Sequence, residues 1–342
     1  MDVRTIGLDL AKQVFQVHGL DEAGAEVVRK RLRRGSVLSF FAGLRPAVIG
    51  MEACATAHYW ARELRALGHD VRLVPPRYVK AYVRRNKTDA ADAAAICEAL
   101  RAPGLHVVPV KSERQQAVLA LHRTRELMVR QRTMTANALR GLMAEFGIVA
   151  PQGQAGLSRL VAMVGMDELD IPSEARMALM ALSGQLEVLK TQTVALERRI
   201  LAWHKSDTTS RRLASIPGVG PITASALAAS IGDPRTFRTG RHFAAWLGLT
   251  PREWSSGMKR RQGRISKRGD GYLRRLLILG ALAVMRQDGR IGGREADPWL
   301  IELRRRRPTA VAAVALANKM ARIAWAVMAR NETYRPRPVA AC

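Results

Sequence analysis

The 342-residue sequence predicts three successive parts: an α/β domain at 1–111, a coiled-coil-like spacer of long helices at 112–206, and a mostly α C-terminal domain at 207–332. Three observations predict them. Short apolar runs alternate with helical spacing up to about Val110. Apolar residues then recur every three or four positions through two helices of uncommon length. From Ser210 onward the chain is helical, arginine-rich and punctuated by glycines.

Residues 5–11 (TIGLDLA) read as a buried strand and 14–18 as its neighbour, and 26–32 completes an antiparallel meander after a turn-rich stretch. A short helix near 37–43 follows, then a buried strand at 47–51, a helix at 59–67 stopped by Gly68, and a strand at 71–74 ended by Pro75 and Pro76. Together they form a mixed sheet covered by helices. One long helix spans 112–146, ended by Gly147 and barred by Pro151. Residues 151–172 read as a polar connection, and a second long helix runs over 174–204. The apolar stripes of these helices suit either a dimer arm or a local hairpin packed on its own domain. Thr309–Arg330 carries an alanine-rich face suited to close helix packing, and the segment from Asn331, with 333–342 as its tail, is expected to be disordered.

Lys and Arg number 56 against 29 Asp and Glu, giving a net charge of +27 and a pI near 11.4. A surplus of that size makes a polyanion the expected partner. Hydrophobic residues make up 48% of the chain, which excludes wholesale disorder. Cys54, Cys97 and Cys342 supply neither a disulfide framework nor a zinc-type pair, as expected of a reducing interior. No apolar run approaches the roughly 20 residues of a membrane span, and the opening MDVRTIGLDLAK is unlike a signal peptide. The expected location is the cytoplasm.

Four acids stand where carboxylates are costly or mutually repelling. Asp9 lies inside an apolar strand, Glu52 ends another, and Asp89 and Asp92 open a helix in NKTDAADA at 86–93, three apart and so on one face. Brought together they need a cation, and hard oxygen donors suit Mg²⁺ or Mn²⁺. Two such ions can activate a hydroxyl and stabilise the leaving oxygen of a phosphodiester. Singly, each acid has a plainer role: Asp9 as a turn residue, Asp89 as a helix cap, Asp92 as a first-turn acid. Lys12 and Lys87 read as solvated or phosphate-facing, and Cys54 as a small packing residue.

IPGVGPITA at 216–224 joins two helices through a tight turn. Gly218 and Gly220 there let backbone N–H groups face a phosphate at the start of the next helix. This resembles a helix-hairpin-helix motif; a plain helix–helix turn is the alternative. Between Lys259 and Arg275 stand eight cations, Lys259, Arg260, Arg261, Arg264, Lys267, Arg268, Arg274 and Arg275, with Asp270 the single acid. A phosphate backbone would neutralise such a run through counterion release. A second run at 304–307 adds backbone contacts. Ser255 and Ser256 precede Gly257 just before the first run, where a hydroxyl could attack phosphorus, although Ser-Gly in loops is most often structural.

These residues carry a resemblance. GLDLAK, VIGMEA and NKTDAADA, then the arginine-rich helix at 123–147, then IPGVGPITA followed by FAAWLGLTPREWSSGMKRRQGRISKRGDGYLRR, resemble in this order the IS110 family of transposases, and its IS1111 subgroup. The resemblance covers essentially the whole chain. It implies an RNase H-like (RuvC-like) first domain with Mg²⁺ held by Asp9, Glu52, Asp89 and Asp92. It also implies a serine nucleophile that maps onto Ser256, with Ser255 the weaker candidate. By the same resemblance the partners are donor and target DNA, a structured guide RNA encoded beside the gene, and further copies of the chain, as a dimer or as a tetramer on DNA. The implied location is the bacterial nucleoid. The acids and the serine are separated by two long helices, so the acids of one copy are expected to meet the serine of another. The alternative activity is a RuvC-like endonuclease or junction resolvase that uses water as nucleophile.

Overall fold

The computed structural model describes residues 2–83, 89–166, 170–254, 261–287 and 297–335, with the backbone alone of Asp89. The chain divides into two compact units, Met1–Arg114 and Gln115–Cys342.

The first unit is built on one sheet. Strands β1 (Thr5–Asp9), β2 (Val14–Leu20), β3 (Glu26–Arg33), β4 (Val48–Glu52) and β5 (Asp70–Val74) lie in the order β3-β2-β1-β4-β5. The first three pair antiparallel as a meander, whereas β4 pairs parallel with β1 and β5 parallel with β4. Central strands covered on both faces must be apolar nearly throughout, and β1 and β4 are. Ile6, Leu8, Ile49 and Met51 face α1 (Val37–Ala42) and α2 (Ala57–Ala66), where Phe41, Trp60 and Leu64 complete the core. The opposite face takes α3 (Pro76–Val79) and α4 (Asp89–Arg101), through Val79, Ala95, Ile96 and Ala99. There Gly7 and Gly50 present no side chain, and α4 lies directly on them.

The second unit takes all but the first two residues of α5 (Glu113–Ala144), which packs with α6 (Gln154–Val164) and α7 (Ser173–Ser206). Leu139, Met143, Leu157, Leu160, Val164, Leu179 and Leu186 form their shared core. Helix α6 corrects the reading of 151–172 as a plain connection. Gly153 and Gly156 dilute the pattern there, yet Leu157, Leu160 and Val164 keep helical spacing and are buried. A second core gathers α8 (Thr208–Leu213), α9 (Pro221–Ser230), α10 (Gly240–Trp246), α11 (Gly271–Gln287), α12 (Pro298–Arg306) and α13 (Thr309–Arg330). A short hairpin, β6 (Pro251–Glu253) and β7 (Gln262–Ile265), stands between α10 and α11 in the chain.

Two further expectations change. Helix α13 is, by length and composition, apolar enough to cross a membrane. Half of that span is buried, with Ala312, Ala313, Ala317, Ala321 and Ala324 inside the core, so the close packing predicted for its alanine face accounts for the apolar character. At the start of the expected tail, residues 331–334 are held against the fold, whereas residues 336–342 lie outside the described residues. Asn331 caps α13 in the left-handed region, Arg212 Nη1 donates to its Oδ1, and the Tyr334 N–H donates to Ser215 Oγ at 2.9 Å.

Candidate active site and nucleic-acid interface

Asp9 and Glu52 close adjacent parallel strands that run in register, Leu8 against Met51. Residues two apart on a strand share a face. Asp9 therefore lies on the face of Gly7 and Glu52 on that of Gly50, the face that α4 covers. Ala93, at the second turn of α4, rests over Gly7. The start of α4 is thereby held at the strand ends that carry Asp9 and Glu52, and Asp92 sits in its first turn. Asp9, Glu52 and Asp92 are each half-buried. Asp89 opens the same helix, but its side chain lies outside the described residues, as does all of Lys87. Among the described residues no three His, Cys, Asp or Glu side chains gather closely enough to hold an ion. The acids share one end of the sheet rather than one point. As a donor set they are all carboxylate oxygen, which suits a hard divalent cation.

Cys97 lies one turn beyond Ala93 in α4, against Gly7 at the middle of β1. Its thiol donates to the His18 carbonyl at 3.3 Å, and burial pushes its pKa up to about 12, so it stays an inert thiol. Cys54 and Lys12 are exposed.

Ser255, Ser256, Lys259 and Arg260 lie outside the described residues. The stem that carries them does not. The Ser266 N–H donates to the Thr250 carbonyl at 2.8 Å, and the Trp254 N–H donates to the Arg261 carbonyl at 2.9 Å. These bonds close an antiparallel stem between 250–254 and 261–266. Arg261, Arg264, Lys267 and Arg268, in and beside it, are exposed. Arg274 and Arg275, from the same basic run, are engaged within the protein. Arg274 Nη1 donates to the carbonyls of Leu247 and Arg268 at 2.9 and 3.0 Å, and Arg275 donates to Glu126 at 2.6 Å.

In the glycine turn the two glycines differ. Gly218 meets α11 backbone to backbone, since a Cβ on Gly280 would stand 2.0 Å from the Gly218 carbonyl oxygen. Gly220 faces open space at the N-terminus of α9. Both line a groove of about 3340 Å³ whose other residues include Arg212, Arg241, Arg264, Lys267, Arg322 and Arg330.

A buried polar chain escaped the sequence reading. His122 of α5 is 1% exposed, with Nε2 3.1 Å from Ser225 Oγ and Nδ1 3.0 Å from Tyr272 Oη. Ser225 Oγ also reaches the Pro221 and Ile222 carbonyls at 2.7 and 3.1 Å, which only accept, so with its one proton given to them it accepts from His122 Nε2–H. Nδ1 is then the acceptor for the Tyr272 hydroxyl. Burial, then Arg125, pushes the His122 pKa down to about 4 and keeps the ring neutral. The chain ties α5 to the second turn of α9 and to the start of α11. Nothing in a lone histidine on a helix signals partners 103 and 150 residues away.

Comparison with known proteins decides the family. Residues 6–148 match a transposase model, DEDD_Tnp_IS110, and residues 210–294 match the model described as transposase IS116/IS110/IS902 family. The chain belongs to the IS110 family of transposases. It is 50% identical to a "Probable family 20 transposase" of Pseudomonas aeruginosa, over 98% of this chain and all of that one. It is 40% identical to the transposase for insertion sequence element IS1328 of Yersinia enterocolitica, over 97% and 99% of the two chains. It is 37% identical to the transposase for insertion sequence element IS1111A of Coxiella burnetii, over 98% and 92%. This IS110-family transposase therefore acts on DNA, and its DEDD domain implies dependence on a divalent metal.

Proposed function

We propose that this IS110-family transposase is an RNA-guided, site-specific recombinase that cuts and rejoins DNA through the Ser256 hydroxyl, with Asp9, Glu52, Asp89 and Asp92 holding Mg²⁺, or Mn²⁺, in an RNase H-like domain. The observation that carries this reading is the common end of β1, β4 and α4, where Asp9, Glu52 and Asp92 stand on one face of the sheet. A divalent ion bound there supplies Lewis-acid polarisation of a phosphoryl oxygen. The chain's own residues do the rest. An Oγ–P bond to Ser256 replaces one phosphodiester P–O bond, the serine gives up its proton, and the displaced oxygen leaves as a hydroxyl. The phosphoserine link keeps the bond energy for rejoining. Arg261, Arg264, Lys267 and Arg268 hold phosphates, and the N-terminus of α9 at Gly220 offers backbone N–H groups to another.

Guide RNA is read from the family resemblance and suits a net charge of +27. With aromatics at only 5%, the RNA grip rests mainly on backbone contacts. Self-association is supported by α5 and α7. Helix α6 covers part of their apolar stripes, yet Met134, Met177 and Met180 remain more than half exposed. The test is a two-plasmid recombination assay with and without the co-expressed flanking RNA. Recombination only with the RNA supports the proposal; equal recombination without it overturns the guided reading.

A further inference from the structure

The chain has six tryptophans, and the structure gives five of them work inside the fold. Trp60 is buried edge-on to Phe15, and Trp203 has its Nε1 buried. Trp325 Nε1 donates to the Pro234 and Phe237 carbonyls, Trp246 stacks on Phe243, and Trp299 lies under the Lys319 ammonium at 4.6 Å. Trp254 is different. It is 60% exposed, and among the described residues no aromatic ring or cation stacks on it. Its six-membered ring rests on Gly263, where a Cβ would stand 2.3 Å from Cζ3, so only glycine opposite leaves room for the indole. The backbone beneath is pinned by the Trp254 N–H bond to the Arg261 carbonyl. A large flat ring is thus held in place from one side and left in water, on a hairpin whose second arm also carries the exposed Arg261 and Arg264.

An exposed indole costs solubility and adds nothing to the core, whereas on a pinned hairpin it is preorganised for a flat apolar partner. In a protein that acts on DNA, on a hairpin that carries exposed arginines in the same chain segment, that partner is a nucleobase. We propose that Trp254 is a stacking platform for an unpaired base of the DNA substrate.

The test uses full-length protein and a DNA duplex with an unpaired tail carrying 5-iodouracil at successive positions. After irradiation, the crosslinked peptide is mapped by mass spectrometry. The Ser256→Ala protein serves equally, since crosslinking needs no cleavage, so failure of the serine mechanism leaves this readout intact. The expected result is an adduct on Trp254 confined to one or two positions. Trp254→Ala should weaken binding of tailed DNA roughly tenfold and Trp254→Phe by less than about threefold, with blunt-duplex affinity unchanged for both. An adduct elsewhere, an adduct with RNA alone, or equal loss of tailed and blunt DNA by both variants would overturn the proposal.

Discussion

Gly7 of β1 lies so close beneath Ala93 of α4 that a Cβ at residue 7 would stand 2.0 Å from the Ala93 carbonyl oxygen. Neither backbone can give way cheaply, because Gly7 is in a central strand and Ala93 in a helix. Gly7→Ala should lift the start of α4 from the sheet, carrying Asp92 away from Asp9. Overpacking of this kind costs about 1–3 kcal/mol. The expected signature is a lowered thermal midpoint together with a rise in the Mg²⁺ concentration needed for strand exchange. An unchanged metal requirement would show that α4 does not position the acids.

The neutral His122 sets a direction for stability against pH. Its folded pKa is about 4, while an unfolded histidine takes up its proton near pH 6.5. Between those values the unfolded chain binds more protons, so stability falls as pH drops from about 6.5 towards 4, by about 3 kcal/mol in all. Denaturant unfolding of the wild type and His122→Gln across that range should show a shallower fall for the variant. Parallel curves would assign the pH dependence to other groups.

Binding of DNA should weaken steeply with salt. Arg264→Ala and Lys267→Ala remove exposed cations, and each should reduce the slope of log affinity against log salt by about 1. Arg274→Ala should behave otherwise. Its guanidinium is spent on the Leu247 and Arg268 carbonyls, so the loss should appear in the thermal midpoint more than in the salt slope.

Asp9→Asn and Asp92→Asn should each abolish strand exchange while leaving DNA binding near wild type. Mixed hetero-oligomers of an Asp9→Asn chain and a Ser256→Ala chain should recover part of the activity, since each copy retains one intact half. No recovery in well-mixed assemblies would place acids and serine in the same chain.

Much of this was legible in the sequence, for physical reasons. A strand buried on both faces must be an apolar run, so Asp9 and Glu52 stood out against β1 and β4. The parallel pairing that sets them side by side did not, because strand order follows from long-range packing. Helix α6 was hidden by Gly156, whose cost in a helix masks the spacing of Leu157, Leu160 and Val164, and by Gly153 immediately before it, which reads as a turn. The basic run was plain as charge, yet the inward engagement of Arg274 and Arg275 depends on carbonyls and a carboxylate that only the fold supplies. Trp254 reads like any other tryptophan until its exposure is known.

The measurement closest to the central claim is the covalent adduct. Wild-type protein, incubated with Mg²⁺, flanking RNA and a nicked suicide substrate, should yield a protein–DNA species stable to denaturant, with the DNA mapped to Ser256. Ser256→Ala should give none while still binding DNA. Cleavage without any adduct, or an undiminished adduct from Ser256→Ala, would contradict attack by Ser256; the first result would make water the nucleophile, and the second would move attack to another side chain.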